Sequence, residues 1–286
     1  MVPCHAVQLV TPKKVVLNGL WLGPKKPKRA VVWVHGLGSS VFSKIGIAEK
    51  LVDSKTAVLM FNNRGHDKVV HVPHASNNFK KAIRGGAAHE RFVDSIDDIQ
   101  GALNFTRKQG VKSIYLAGHS TGCQKSVYWA SKKGRGVKGI ILLAPISDYD
   151  AIRLQYDSKR VARVLAVSHA YIKKGKGATL LPSNVWDWPW VADARRFVSL
   201  YSGKSAEEIF TYWDSTRRPR TLSSVRTPML IFLAGKEEFS EIPAKEIAAW
   251  CNAHVHRGQT IIVPGVGHSF RGGEGRIARA IREWMK

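Results

Sequence analysis

The pentapeptide Gly118-His119-Ser120-Thr121-Gly122 lies between an apolar run, Ser113-Ile114-Tyr115-Leu116-Ala117, and a stretch of helical character, Cys123 to Lys133. This succession of strand, sharp turn and helix constrains the fold more than any other feature of the chain. A serine flanked by glycines at such a turn is held strained and exposed at the top of a sheet, while the glycines let strand and helix approach closely. Three fixed positions in five recur by chance, so the strand before and the helix after are what give the motif its weight. Ser120 is therefore a candidate nucleophile, and the rest of the chain must supply a base, an acid and donors for an oxyanion.

The surrounding pattern fits such a turn. Two β-like runs, His5–Val10 and Val15–Leu22, predict an antiparallel hairpin at a sheet edge. Ala30-Val31-Val32-Trp33-Val34 is a continuous apolar run suited to a strand buried on both faces. Helical spacing at Ile45, Ala48, Leu51 and Val52, a strand over Thr56–Phe61, and Phe92, Ile96, Ile99, Leu103 and Thr106 at helical intervals continue the alternation. In that last helix Asp94, Asp97 and Asp98 near the start and Arg107 and Lys108 near the end complement the helix dipole. Gly139–Ala144, Met229–Ala234 and Thr260–Val263 read as further strands, with helices over Ala244–Cys251 and Gly275–Met285. The expected fold is α/β: a doubly wound, mainly parallel sheet of about eight strands.

The rhythm breaks over residues 146–226. Helical patches at Val161–Lys173, Ala192–Leu200 and Ala206–Tyr212 occur there without a convincing strand, together with four of the nine tryptophans. The chain therefore divides into a core of residues 1–145 and 227–286 and a helical insertion, 146–226. Trp186, Trp188 and Trp190 either bury their indoles in the core or line a pocket and select substrate.

A serine hydroxyl needs a histidine to take its proton and a carboxylate to orient that histidine. In a doubly wound sheet such groups collect at the carboxyl ends of strands. His268 follows Thr260–Val263 across a Gly265-Val266-Gly267 loop, and Glu237 and Glu238 follow Met229–Ala234 across Gly235. The pattern leaves the choice between the two glutamates open. His35-Gly36-Leu37-Gly38 follows the strand Ala30–Val34, so the backbone N–H groups of Leu37 and Thr121 are the candidate oxyanion donors. His35 is expected to hold its loop, Arg64 to tie loops together at the same sheet edge, and His119 to pack behind the nucleophile. His66, His71, His74 and His89 in a polar loop, and Cys251 with His254 and His256, carry metal-ligand donor types. The second set crosses a helix end without a fourth ligand, and no metal site is expected.

Composition narrows the function classes. No apolar run approaches a membrane span and the first residues lack a secretory pattern, so a soluble, cytoplasmic protein is expected. The three cysteines form no CxxC pair and are expected to be reduced thiols. Lys and Arg number 45 against 21 Asp and Glu, a formal charge of +24 that favours acidic partners. The insertion holds 14 against 8, close to an even share, so no basic module stands out. Clusters at Lys25-Lys26-Pro27-Lys28-Arg29, Lys173-Lys174 and Arg217-Arg218-Pro219-Arg220 read as solvated loops, and nucleic acid is not an expected partner.

Taken together, HGLG after the strand Ala30–Val34, NNRGH after Thr56–Phe61, GHSTG at the turn, an acid after Met229–Ala234 and GHSF before the final helix resemble the α/β-hydrolase superfamily over essentially the whole chain. The longer Gly118-His119-Ser120-Thr121-Gly122-Cys123-Gln124 is similar to a group of hydrolases related to fungal siderophore esterases. In that group the acid is usually aspartate in an Asp-Glu-aromatic sequence, which places it on Glu237 in Lys236-Glu237-Glu238-Phe239, with glutamate a departure. The resemblance implies a serine hydrolase that cleaves a carboxylic ester or related acyl bond through an acyl-enzyme. No cofactor is required, the partner is a small acyl ester, and 146–226 is a cap over the pocket. The alternative is a non-catalytic ligand-binding or interaction protein that keeps the fold. Its usual mark would be loss of the serine, the histidine or an oxyanion glycine, all of which are present.

Overall fold

The structure, a computed structural model, describes residues 2–76, 81–187 and 191–286. Strands β1 (Cys4–Val10) and β2 (Val16–Leu22) form the antiparallel edge hairpin. Six further strands run parallel to one another: β3 (Arg29–Val34), β4 (Thr56–Phe61), β7 (Ser113–His119), β8 (Gly139–Leu143), β9 (Met229–Ala234) and β10 (Gly258–Val263). The sheet order is β1-β2-β4-β3-β7-β8-β9-β10. Sequence neighbours reversed at β3 and β4 make this a doubly wound sheet, as the sequence predicts.

Helices cover both faces because successive side chains of each strand point to opposite sides. Ala30, Val32 and Val34 of β3 pack with Ile99 and Leu103 of α2 (Ser95–Lys108), Val127 of α3 (Thr121–Lys133) and Ile247 of α8 (Ala244–His254). Val31 and Trp33 pack on the other side with Ile47 and Leu51 of α1 (Ile45–Leu51) and Ile277 and Ile281 of α9 (Glu274–Trp284).

Residues 66–89, expected as a polar loop, contain a second hairpin, β5 (Val70–His74) and β6 (Lys81–Gly85). Val72 is buried against the main core and Val70 and Ile83 pack on it, which gives a short polar ribbon one anchored face. His71 and His74 stand on β5.

The helical segment builds its own small core. Ile152 of α4 (Asp148–Gln155), Val161 and Val164 of α5 (Ser158–Lys173), and Phe197 and Tyr201 of α6 (Ala194–Tyr201) close around Trp186. From Ile209 onward the chain returns to the main core, where Phe210, Leu222 of α7 (Arg220–Ser223) and Val225 pack. Residues 206–212, expected as a helix, are turns and irregular chain. Tertiary partners override their helical spacing: Glu207 pairs with Arg196, and Glu208 accepts hydrogen bonds from Ser147 and Trp213. Helix α4 has no counterpart among the expected helices; Ser147 caps it by accepting from the Asp150 N–H.

Buried charges join the helical segment to the sheet. Arg196 of α6 is ion-paired with Glu90 at 3.0 Å and Glu207 at 2.5 Å, and Glu90 also pairs with Lys125 of α3 at 2.6 Å. Burial opposes ionisation of Glu90, but Lys125 and Arg196 outweigh it and hold its carboxyl below the usual value. Among the described residues no helix is long and apolar enough to cross a membrane.

Candidate active site

Parallel register brings the chemical groups to one edge. Val34 at the end of β3 pairs with Phe61 of β4 and with Gly118 of β7, so the loops opening at His35, Asn62 and Ser120 leave the sheet side by side. Ser120 connects β7 directly to α3 with φ 56° and ψ −128°, a conformation L residues rarely adopt. Its flanking glycines permit this. A Cβ at Gly118 would collide with the Gly122 carbonyl, and a Cβ at Gly122 with that of Val34. The Cys123 thiol donates to the Gly118 and Leu143 carbonyls at 3.2 Å each, filling the space beneath the turn.

His268 reaches the same edge from the loop after β10. Its Nδ1 lies 2.9 and 3.0 Å from the two carboxylate oxygens of Glu237, both side chains being largely buried. Glu238 turns the other way and accepts the His268 backbone N–H at 2.6 Å. The adjacent glutamates thus divide their work, one on the imidazole and one on the main chain that carries it. Phe239 sets its ring edge-to-face against the imidazole with centroids 4.7 Å apart.

His119 is buried, and its Nε2 donates to the His268 carbonyl at 2.9 Å. Burial, then the neighbouring His268 and Lys44, hold its pKa well below the usual histidine value, so it stays neutral. His35 is buried as well: Nδ1 donates to the Gly36 carbonyl at 2.8 Å and Nε2 accepts the Asn63 N–H at 3.2 Å. Burial, with Lys125 adding to it, lowers its pKa to about 3. It bridges the loops after β3 and β4. Arg64 binds Asp98 through its own backbone N–H and its guanidinium and reaches Asp97 at 2.6 Å. The carboxylates that complement the α2 dipole therefore also anchor the NNRGH loop.

Ser120 and His268 line one cavity of about 300 Å³, together with Leu37, Lys44, His119 and Phe239. Ile146, Asp148, Ala151, Ile152, Gln155 and Tyr201 close its other wall from the helical segment. Thr121 is buried at the start of α3, where its backbone N–H has no partner within the helix. Trp186 does not line the cavity. It is 1% exposed and stacks on Tyr156, Phe197 and Tyr201, one layer behind the wall. Trp188 and Trp190 lie outside the described residues.

The remaining donor-rich residues lie apart from this cavity. Cys251 is buried in the main core, His254 stacks on Trp250, and His256 bonds the Ser223 carbonyl. His89 pairs with Asp193 at 3.0 Å. Among the described residues no group of three or more His, Cys, Asp or Glu side chains could hold a metal ion.

Of the cavity residues that were not foreseen, two, Lys44 and Asp148, carry an ammonium or a carboxyl group. Lys44 carries no motif, and only its place just after the HGLG loop could have flagged it. Asp148 follows the carboxyl end of β8 in the first turn of α4, where the rule about strand ends could have found it. Its carboxylate accepts from Gln124 Nε2 at 2.8 Å. Burial, then Glu207, push its carboxyl well above the usual range against the opposing pull of Arg196.

Residues 66–280 match a family model described as a protein of unknown function, DUF1749. No curated protein matches the chain in sequence. Among solved structures, the chain is similar to a highly thermostable carboxyl esterase from Bacillus coagulans (TM-score 0.67, 15% identity, covering 100% of each chain). It is also similar to the siderophore hydrolase EstB from Aspergillus fumigatus (TM-score 0.64, 16% identity, 94% of each chain). A third similar structure is an esterase from Pyrococcus furiosus (TM-score 0.60, 15% identity, 100% of this chain and 92% of that one). At these identities the likeness is one of fold, and that fold is the α/β-hydrolase fold.

Proposed function

This chain belongs to the DUF1749 family, and we propose that it is a serine hydrolase that cleaves carboxylic esters through an acyl-enzyme. The observation that carries the proposal is the contact of both Glu237 carboxylate oxygens with His268 Nδ1 at 2.9 and 3.0 Å, with His268 and the strained Ser120 on one cavity wall. A carboxylate at Nδ1 fixes the tautomer that leaves Nε2 free to accept a proton.

In this mechanism Ser120 Oγ attacks the acyl carbonyl carbon while His268 Nε2 takes its proton. The negative charge that develops on the carbonyl oxygen meets the backbone N–H groups of Leu37 and Thr121 and the positive end of the α3 dipole. His268 then gives the proton to the leaving alcohol, and Glu237 stabilises the imidazolium between the two transfers. Water, deprotonated by the same histidine, releases the acid and restores Ser120. The helical segment is the cap. Ile146, Ala151, Ile152 and Tyr201 supply apolar surface for the acyl or alcohol group, and the similarity in fold to esterases supports the choice of bond.

Fluorophosphonate labelling and a panel of 4-nitrophenyl esters test this. Wild-type protein should label and hydrolyse, and Ser120→Ala should do neither while keeping its melting temperature within a few degrees. Labelling that survives Ser120→Ala would remove the assignment, and a wild-type protein inert to every ester and probe would favour a binding protein that keeps the fold.

A further inference from the structure

Among the described residues lining the cavity, Lys44 is the only lysine or arginine. It sits at φ 64°, a backbone region that favours glycine or asparagine, just ahead of α1. Its Nζ donates to the carbonyl of Ser269, the residue after His268, at 2.7 Å. An ammonium has three N–H donors, and among the described residues the other two meet no acceptor, which leaves them to a ligand. Among the described residues no carboxylate lies within ion-pair distance of it; Glu274 and Arg271 act from farther away and in opposite senses. Burial lowers its pKa from the usual lysine value, which shows that the charge is only partly compensated. Across the cavity, burial and the neighbouring Glu207 push the Asp148 carboxyl well above the usual carboxylate range, which weakens its repulsion of an anion. His119 on the same wall is neutral.

We propose that the cavity takes esters that carry a carboxylate, and that Lys44 is the residue that selects them. This rests on the reading of Ser120 as the nucleophile. A carboxylate on the substrate would complete the half-buried ammonium with a charge-assisted hydrogen bond, and the net charge of +24 would draw such substrates in. The carboxylate can stand on the acyl half or on the leaving-group half of the ester.

Two substrate pairs separate these cases: 4-nitrophenyl monoglutarate against 4-nitrophenyl pentanoate, and 3-acetoxybenzoate against 3-methylphenyl acetate. In at least one pair the wild-type kcat/KM should favour the anionic ester. Lys44→Met should lower that anionic-to-neutral ratio by roughly 10- to 100-fold, the range for one hydrogen bond to a charged group. Lys44→Arg should keep most of the preference, and raised salt should weaken it. A wild-type ratio near one in both pairs overturns the inference. So does an equal loss on both members of a pair in Lys44→Met, which would make Lys44 only a brace for the His268 loop.

Calorimetry with monomethyl glutarate on Ser120→Ala, and on the same protein carrying Lys44→Gln, reads the anion site without turnover. Lys44-dependent binding, together with a wild-type protein that hydrolyses no ester, would sink the esterase reading and leave the anion site standing. Ser120-dependent hydrolysis with binding that ignores Lys44 would do the opposite.

Discussion

His119 donates from Nε2 to the main-chain carbonyl of His268 at 2.9 Å, and the two imidazoles pack with centroids 4.9 Å apart. The residue beside the nucleophile in sequence thus holds the backbone of the proposed base. Its buried, neutral state makes it a fixed donor across the working pH range. The end of strand β7 and the loop after β10 are thereby tied together.

His119→Leu removes the donor and should lower kcat by roughly 10-fold or more with KM little changed, since a small misplacement of a catalytic group is costly. His119→Gln can present an amide N–H at nearly the same place and should recover most of the loss. A purely steric role would give the opposite result, with leucine tolerated at least as well as glutamine.

The two glutamates should separate by the same logic. Glu237→Gln keeps the shape but turns a carboxylate at Nδ1 into an amide, and should cost about 10³-fold or more in kcat. Glu238→Gln still offers an oxygen to the His268 N–H and should cost less than about 10-fold. Equal losses, or the reverse order, would move the acid's role away from Glu237.

Much of this arrangement is legible in the residue pattern, for a physical reason. Strands buried on both faces, such as Thr56–Phe61, read as unbroken apolar runs, and β4 spans those same residues. Gly118 and Gly122 are dictated locally by the approach of strand and helix. What escapes the pattern depends on contacts distant in sequence. Glu207 and Glu208 suit a helix by propensity but are drawn away by Arg196, Ser147 and Trp213. The β5–β6 ribbon is short and mostly polar, and among its described side chains Val72 is the only one fully buried in the core. Lys44 and Asp148 become cavity residues only once the helical segment folds back over the sheet.

His35 gives a pH dependence of definite sign. Its pKa is about 3 in the folded protein, because burial and Lys125 oppose a charge, and about 6.5 in the unfolded chain. Below pH 6.5 the unfolded state binds the extra proton and the folded state does not. The stability that His35 contributes is therefore complete above pH 6.5 and is lost as pH falls toward 3. Denaturant titrations at pH 7, 5.5 and 4.5 should show His35→Gln losing less stability on acidification than wild type, by up to about 1.4 kcal/mol per pH unit within that window. Parallel curves for the two proteins would show that His35 titrates normally in the fold.

Trp186 and Ile152 should respond in opposite ways, because one lies behind the cavity wall and the other forms it. Trp186 is enclosed by Tyr156, Phe197 and Tyr201, with the Arg160 guanidinium 5.4 Å from its ring. Trp186→Ala should empty that small core and cost about 3–5 kcal/mol of stability, seen as a lower unfolding midpoint, with all esters slowed alike. Ile152 of α4 lines the cavity. Ile152→Ala should enlarge the pocket and shift the ratio of kcat/KM between short and long acyl chains toward the longer by roughly 10-fold, within the ~1–3 kcal/mol of a pocket contact. If Trp186→Ala instead changes chain-length preference at unchanged stability, the tryptophan selects substrate and the wall seen in the structure opens during turnover.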